Sequence, residues 1–151
     1  MTTTNYSGRK VDLLIHQGVD AVGETQVQLG LGDGYVCTGV QAVAQMFAKM
    51  LLTDVGSRLR DPYFGTHFMS SLRNNEIADE NGLQSSFQAA VADILEYLSN
   101  VEAPADPDER LVNAELIQWD LRPTKLSMHV KLTTEAGTTR EVYLPVKVAI
   151  Q

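Results

Sequence analysis

The last third of the chain alternates apolar and polar residues three times in succession. In "LIQWDLR" Ile117, Trp119 and Leu121 fall on one side. In "KLSMHVKLT" Leu126, Met128, Val130 and Leu132 oppose Lys125, Ser127, His129 and Lys131. In "REVYLPVKVAI" the apolar set is Val142, Leu144, Val146, Val148 and Ile150. Side chains of a strand point alternately to its two faces, so these segments predict strands with one dry face each, and "TTEAGTT" supplies a turn between the last two. An antiparallel meander of this kind has to be covered on its dry side. It carries about a dozen large apolar side chains at roughly 1.5–3 kcal/mol each when buried, ample to hold helices against it.

Those helices are legible upstream. Val40, Val43, Ala44, Phe47 and Leu51 recur three and four apart, with Met46, Met50 and Leu52 widening the stripe, and Gly56 offers a stop. A second stripe, Phe87, Ala90, Val91, Ile94, Leu95 and Leu98, follows Ser85 and Gln88, which have capping-box spacing; Ser99 and Asn100 would close it. After "VEAPAD", the order Asp106, Pro107, Glu109 predicts a short helix over "PDERLVNA". Near the start, "VDLLI" at 11–15 reads as a short strand or a buried plug. "ETQVQLGLGDGYVCTG" reads as a small hairpin turning at "GLGDG". The fold class is therefore α+β: a two-layer domain in which an antiparallel C-terminal meander packs against two main helices, with a small N-terminal hairpin. One domain from residue 11 to 151 is expected behind a loose tail, "MTTTNYSGRK", at 1–10.

Charge narrows the function. Lys+Arg 12 against Asp+Glu 19 gives a net charge of −7, which leaves no broad basic face for a nucleic-acid backbone. No run approaches the roughly 18 apolar residues of a membrane span, and the opening tail lacks the apolar core of a secretory signal. The single Cys37 excludes an intrachain disulfide and a cysteine-built metal site, and its apolar setting in "YVCT" reads as buried filler. His16, His67 and His129 lack zinc-ligand spacing, and "GLGDG" is not followed by the lysine and hydroxyl of a phosphate loop. No cofactor, metal or catalytic residue is assigned.

A glycoside hydrolase would need two carboxylates about 5–9 Å apart, one held protonated by an apolar pocket. Asp54, Asp61 and Glu76 are the nearest candidates, and turn construction accounts for them better: Asp61 precedes Pro62, and Asp54 can orient a turn at Gly56. Arginines are more informative. Arg58 and Arg60 in "SRLRDP", and Arg122 with Asp120 and Pro123 beside Trp119 in "WDLRP", are local exceptions in an acidic chain and suit docking to a carboxylate-bearing partner. The plain alternative is intrachain pairing of Arg58 with Asp54 or Arg60 with Asp61, worth little if exposed. Pro145 marks the last strand as an edge, because proline has no amide to give. An edge beside Tyr143, Pro145 and Lys147 is where another chain can add a strand.

The stretch "LLTDVGSRLRDPYFGT", a glutamine-bearing amphipathic helix running into a glycine, a "DP", an aromatic and "FG", resembles the small baseplate wedge protein of contractile-tailed phages. Relatives of that family include a type VI secretion baseplate component. The resemblance is strongest over Gln41 to Gly65 and extends in layout to the closing meander. It implies a non-enzymatic structural part of a virion tail baseplate, made in the host cytoplasm. Its partners would be other wedge proteins, and tail sheath protein at a sheet edge, in a hetero-oligomer of six copies or a multiple around the tail axis, with no nucleic acid or membrane.

In that family a glutamate, proline, arginine signature just before the final strands meets the wedge core bundle. Asp120 and Arg122 stand in for its acid and base here, with Pro123 after rather than before the arginine. The resemblance also makes Thr53, Gly56, Pro62 and Gly65 a compact turn system that pins Tyr63, Phe64 and Phe68 against the two main helices. Some members carry a lysozyme-like label, so a peptidoglycan-degrading hydrolase is the enzymatic alternative. A free-standing protein-binding adaptor is the other.

Overall fold

The computed structural model describes residues 38–101 and 106–147, together with the backbone of four short strands before them. Those strands are β1 (Asp12–Leu13), β2 (Ile15–Val19), β3 (Thr25–Leu29) and β4 (Val36–Cys37). The expected hairpin across "GLGDG" does not join its two flanks to each other. Instead β3 pairs antiparallel with β2, Ile15 opposite Leu29 and Val19 opposite Thr25, and β4 pairs with β1. Within "VDLLI", Asp12, Leu13 and Ile15 are thus strand, and their partners lie on both sides of the expected turn. The tail at 1–10, and Val148 and Ile150 of the expected inward set, lie outside the described residues.

Helix α1 (Gly39–Leu51) buries Ala44, Phe47, Met50 and Leu51, the stripe its periodicity predicts, and stops four residues short of Gly56 at a cap on Leu52. A short helix that periodicity does not reveal, α2 (Phe68–Arg73), buries Phe68 and Leu72. Helix α3 (Glu80–Val101) begins well before Ser85, which is an exposed mid-helix residue. The cap is Asp79: its Oδ1 accepts from the Gly82 amide at 2.7 Å, and its carbonyl accepts from the Leu83 amide. Gly82, unfavourable inside a helix, conceals this start from a propensity reading.

The region "PDERLVNA" also departs from expectation. Only Pro107–Glu109 is helical, a single 3₁₀ turn, and Leu111 already belongs to β5 (Leu111–Arg122). With β6 (Lys125–Thr134) and β7 (Thr139–Lys147) it forms an antiparallel sheet in the order β5-β6-β7. Leu126, Met128, Val130 and Leu132 of β6 and Val142, Leu144 and Val146 of β7 are buried, as the alternation requires. Strand β5 breaks step. Register shifts between Leu111 and Asn113 and between Leu116 and Gln118 bulge the strand, so Ala114, Leu116, Trp119 and Leu121 turn to the core while Ile117 is exposed. The expected grouping of Ile117 with Trp119 and Leu121 fails for that reason.

Helices and sheet meet in one contiguous core. Phe47 and Phe68 each set an edge against Phe87, and all three rings are buried between α1, α2 and α3. This is the two-layer α+β arrangement.

Candidate functional site

The link from α1 to α2 is a stack of backbone hydrogen bonds. Thr53 closes the helix, its hydroxyl donating to the Lys49 carbonyl at 2.6 Å, and its own carbonyl accepts from Thr66 N at 2.9 Å. Val55 N donates back to Thr66 O, and Gly56 N donates to Pro62 O at 2.8 Å, which closes the loop at its neck. Gly56 and Gly65 hold positive φ, 83° and 112°, where a side chain is strained. Buried Thr66 spends its hydroxyl on the Leu51 carbonyl and the Phe68 amide, tying the neck to both neighbouring helices. Thr53, Gly56, Pro62 and Gly65 are therefore brought together in one turn system.

That system positions two of its three rings in the core. Phe64 packs edge-on against Tyr97 of α3 with centroids 5.7 Å apart, and Phe68 is buried. Tyr63 is the correction: it is 79% exposed and faces outward. Tyr97 also donates its hydroxyl to Asp61, so one α3 residue clamps both the ring and the carboxylate of the loop. Neither intrachain pair of the plain alternative, Arg58 with Asp54 or Arg60 with Asp61, forms. Asp54 is paired with Arg73 of α2, Asp61 with Tyr97, and the Arg58 guanidinium lies 3.6 Å over the Phe64 ring. Arg60 points into solvent beside Leu59, which is fully exposed.

Beside this loop is an open cleft of about 420 Å³. One wall is Val55, Tyr63 and His67; the other is the end of α3, with Asp93, Glu96, Tyr97 and Val101. Its mixture of rings, an exposed valine and two carboxylates one helical turn apart suits an apolar group carrying positive charge. A reading by motif passes over it because its walls are forty residues apart in sequence and only the loop neck brings them together.

The arginine and tryptophan of "WDLRP" separate. Trp119 lies on the core face of β5 opposite Met128, whereas Asp120 and Arg122 point the other way and pair at 2.9 Å, both exposed. Pro123 and Thr124 form the two-residue tip of the β5–β6 hairpin. At that end Arg122, Lys125 and Lys147 stand opposite one another across the sheet. Like charges so placed repel.

Strand β7 lies at the rim of the sheet, with Pro145 in register with Ser127 of β6. On the outer face Tyr143 stacks on His129 at 4.1 Å, and His129 Nε2 bonds Glu141 at 2.9 Å. Tyr143, Pro145 and Lys147 are all exposed.

The segment immediately before the sheet holds a buried acid that sequence reasoning placed in a local helix. Glu109 is 2% exposed, and its Oε1 accepts from the Gly39 amide at 3.4 Å, at the N-terminus of α1. A carboxylate there meets unpaired amides and the positive end of the helix dipole, a role Thr38 leaves open because its side chain makes no cap bond. Its neighbour Arg110 reaches Glu135 at 2.7 Å. Asp108, Glu109 and Arg110 thus lie immediately before β5, and Asp120–Pro123 lie one strand later, at the tip of the β5–β6 hairpin.

Among the described residues no three potential ligands converge as a metal would require, and no helix is long and apolar enough to cross a membrane. No protein-family model matches the chain, and no curated protein sequence aligns with it.

Proposed function

We propose that this chain is a structural part of a contractile phage tail baseplate, joining the wedge core bundle to the first ring of tail sheath. The observation that carries this reading is that β7 ends the sheet among the described strands, with no strand beside its outer edge there, while one face of the sheet is filled by helices. Two further features support it. The closed neck from Thr53 to Thr66 is bonded to α1 and α2 through Thr66 and to α3 through Tyr97, a coupling that a part transmitting a rearrangement needs. It also lies within the stretch that resembles the wedge family.

The core-bundle contact is better assigned to 108–110 than to 120–123. Glu109 is locked beneath α1 and carries exposed Arg110 at the mouth of the sheet, although Pro107 stands before the acid rather than between acid and arginine. Asp120, Arg122 and Pro123 then remain as a charged hairpin tip available to a neighbour.

Asp54 and Asp61 are engaged by Arg73 and Tyr97, so the structure offers the hydrolase reading no particular support. Electron cryomicroscopy of the intact particle tests the proposal. It expects this chain at the sheath–baseplate junction, with a strand of another protein alongside 139–147. Absence of the chain from the particle, or a junction position with β7 facing only solvent, overturns it.

A further inference from the structure

Leu59 is fully exposed, yet the loop that carries it is not loose. The neck is closed by Gly56 N to Pro62 O, a turn at each of its ends is fixed by Ser57 N to Asp54 O and Phe64 N to Asp61 O, and Arg58 lies over the Phe64 ring. Leu59 sits at the tip of this closed loop with its side chain in water, an apolar group whose burial against a partner would be favourable. Arg60 beside it is likewise exposed, and among the described residues no carboxylate pairs with it.

The surface next to that knob is its chemical complement. The cleft between Tyr63 and the end of α3 is lined mainly by apolar atoms, and its α3 wall carries Asp93 and Glu96, both exposed and without a cation among the described residues. One chain therefore presents an apolar knob with an unpaired cation, and beside it an apolar hollow with two unpaired anions. Neither Leu59 nor Arg60 lines the cleft of its own chain, and Arg60 pairs with neither Asp93 nor Glu96 there, so the match is open to a second copy. Adjacent complementary halves on one surface are what a twofold contact requires, since each half meets the other chain's opposite half.

We propose that two copies of this chain associate about a twofold axis, Leu59 of each entering the other's cleft between Tyr63 and Val101, with Arg60 meeting Asp93 and Glu96. This pairing uses neither β7 nor 108–110 and does not depend on the baseplate reading.

Sedimentation equilibrium of the purified full chain, from micromolar to sub-millimolar concentration, tests it. The wild type is expected to dimerise. Leu59→Ser should raise the dimer dissociation constant about thirtyfold or more, as loss of a central anchor does. Arg60→Glu and the double change Asp93→Lys with Glu96→Lys should each abolish the dimer. Combining all three charge reversals in one chain should restore it, which a merely unfolded variant cannot do. Circular dichroism identifies any variant that fails to fold. A wild type that stays monomeric throughout, or a dimer indifferent to Leu59→Ser and Arg60→Glu, overturns the proposal.

Discussion

Gly65 lies directly against the Thr53 carbonyl: a Cβ built on Gly65 would fall 2.4 Å from that oxygen and 3.0 Å from the Asp54 carbonyl carbon. The obstruction is backbone, held in place by the Thr66 N to Thr53 O bond, so no side chain can swing aside to relieve it. This approach lets the chain leave α1, form the loop and return to the core within fifteen residues.

Gly65→Ala is expected to cost about 3 kcal/mol or more, combining that clash with a φ of 112°. Gly56 has a φ of 83° but open space where its Cβ would be. Gly56→Ala should therefore cost only about 1–2 kcal/mol, the conformational penalty alone. Urea unfolding of both variants checks the order, and an equal loss at the two sites would show that the close approach does not matter.

Glu109→Ala should lower stability by about 1–3 kcal/mol, because it leaves the Gly39 amide unpaired in a buried place and removes negative charge from the start of α1. Hydrogen exchange localises the effect: amides in the first turn of α1 should lose protection before those of β6. Uniform loss of protection would contradict a capping role.

Tyr97 joins two parts of the loop, and these can be separated. Tyr97→Phe keeps the ring against Phe64 and removes the hydroxyl from Asp61, so about 1.5–3 kcal/mol is expected for a bond to a carboxylate, toward the low end because the site is only partly buried. In a double-mutant cycle with Asp61→Asn, the two losses should not add. Strict additivity would mean that the contact is not formed in solution.

The bulge in β5 makes a contrast that simple alternation, which places both residues on the dry face, does not predict. Ile117→Thr should change stability by no more than about 0.5 kcal/mol, since Ile117 is already exposed. Leu132→Ala on β6, at a position with no exposed surface, should cost about 2–5 kcal/mol. Thermal and denaturant unfolding decide the point, and a large loss at Ile117 would place it in the core after all.

Much of this architecture was written locally. The dry face of β6 and β7, the stripe of α1 and the middle of α3 follow from which residues recur at two or at three and four, because the period of side-chain direction is a property of each element alone. The turn system of Gly56, Pro62 and Gly65 came only through the resemblance, and from the residues alone Gly56 read as the stop of a helix that ends at Leu51. What sequence could not supply is anything that depends on the neighbour across the fold. The bulge at Ile117 exists only in the pairing of β5 with β6. Glu109 is a cap because Gly39, seventy residues away, arrives beside it. The early strands choose partners on both sides of "GLGDG", and Tyr63 faces out because Phe64 takes the place against Tyr97. Local periodicity determined which elements form and which face each buries. Tertiary packing decided where their patterns slip, which charges are buried, and which surfaces stand side by side, because those outcomes are set by contacts between residues far apart in the chain.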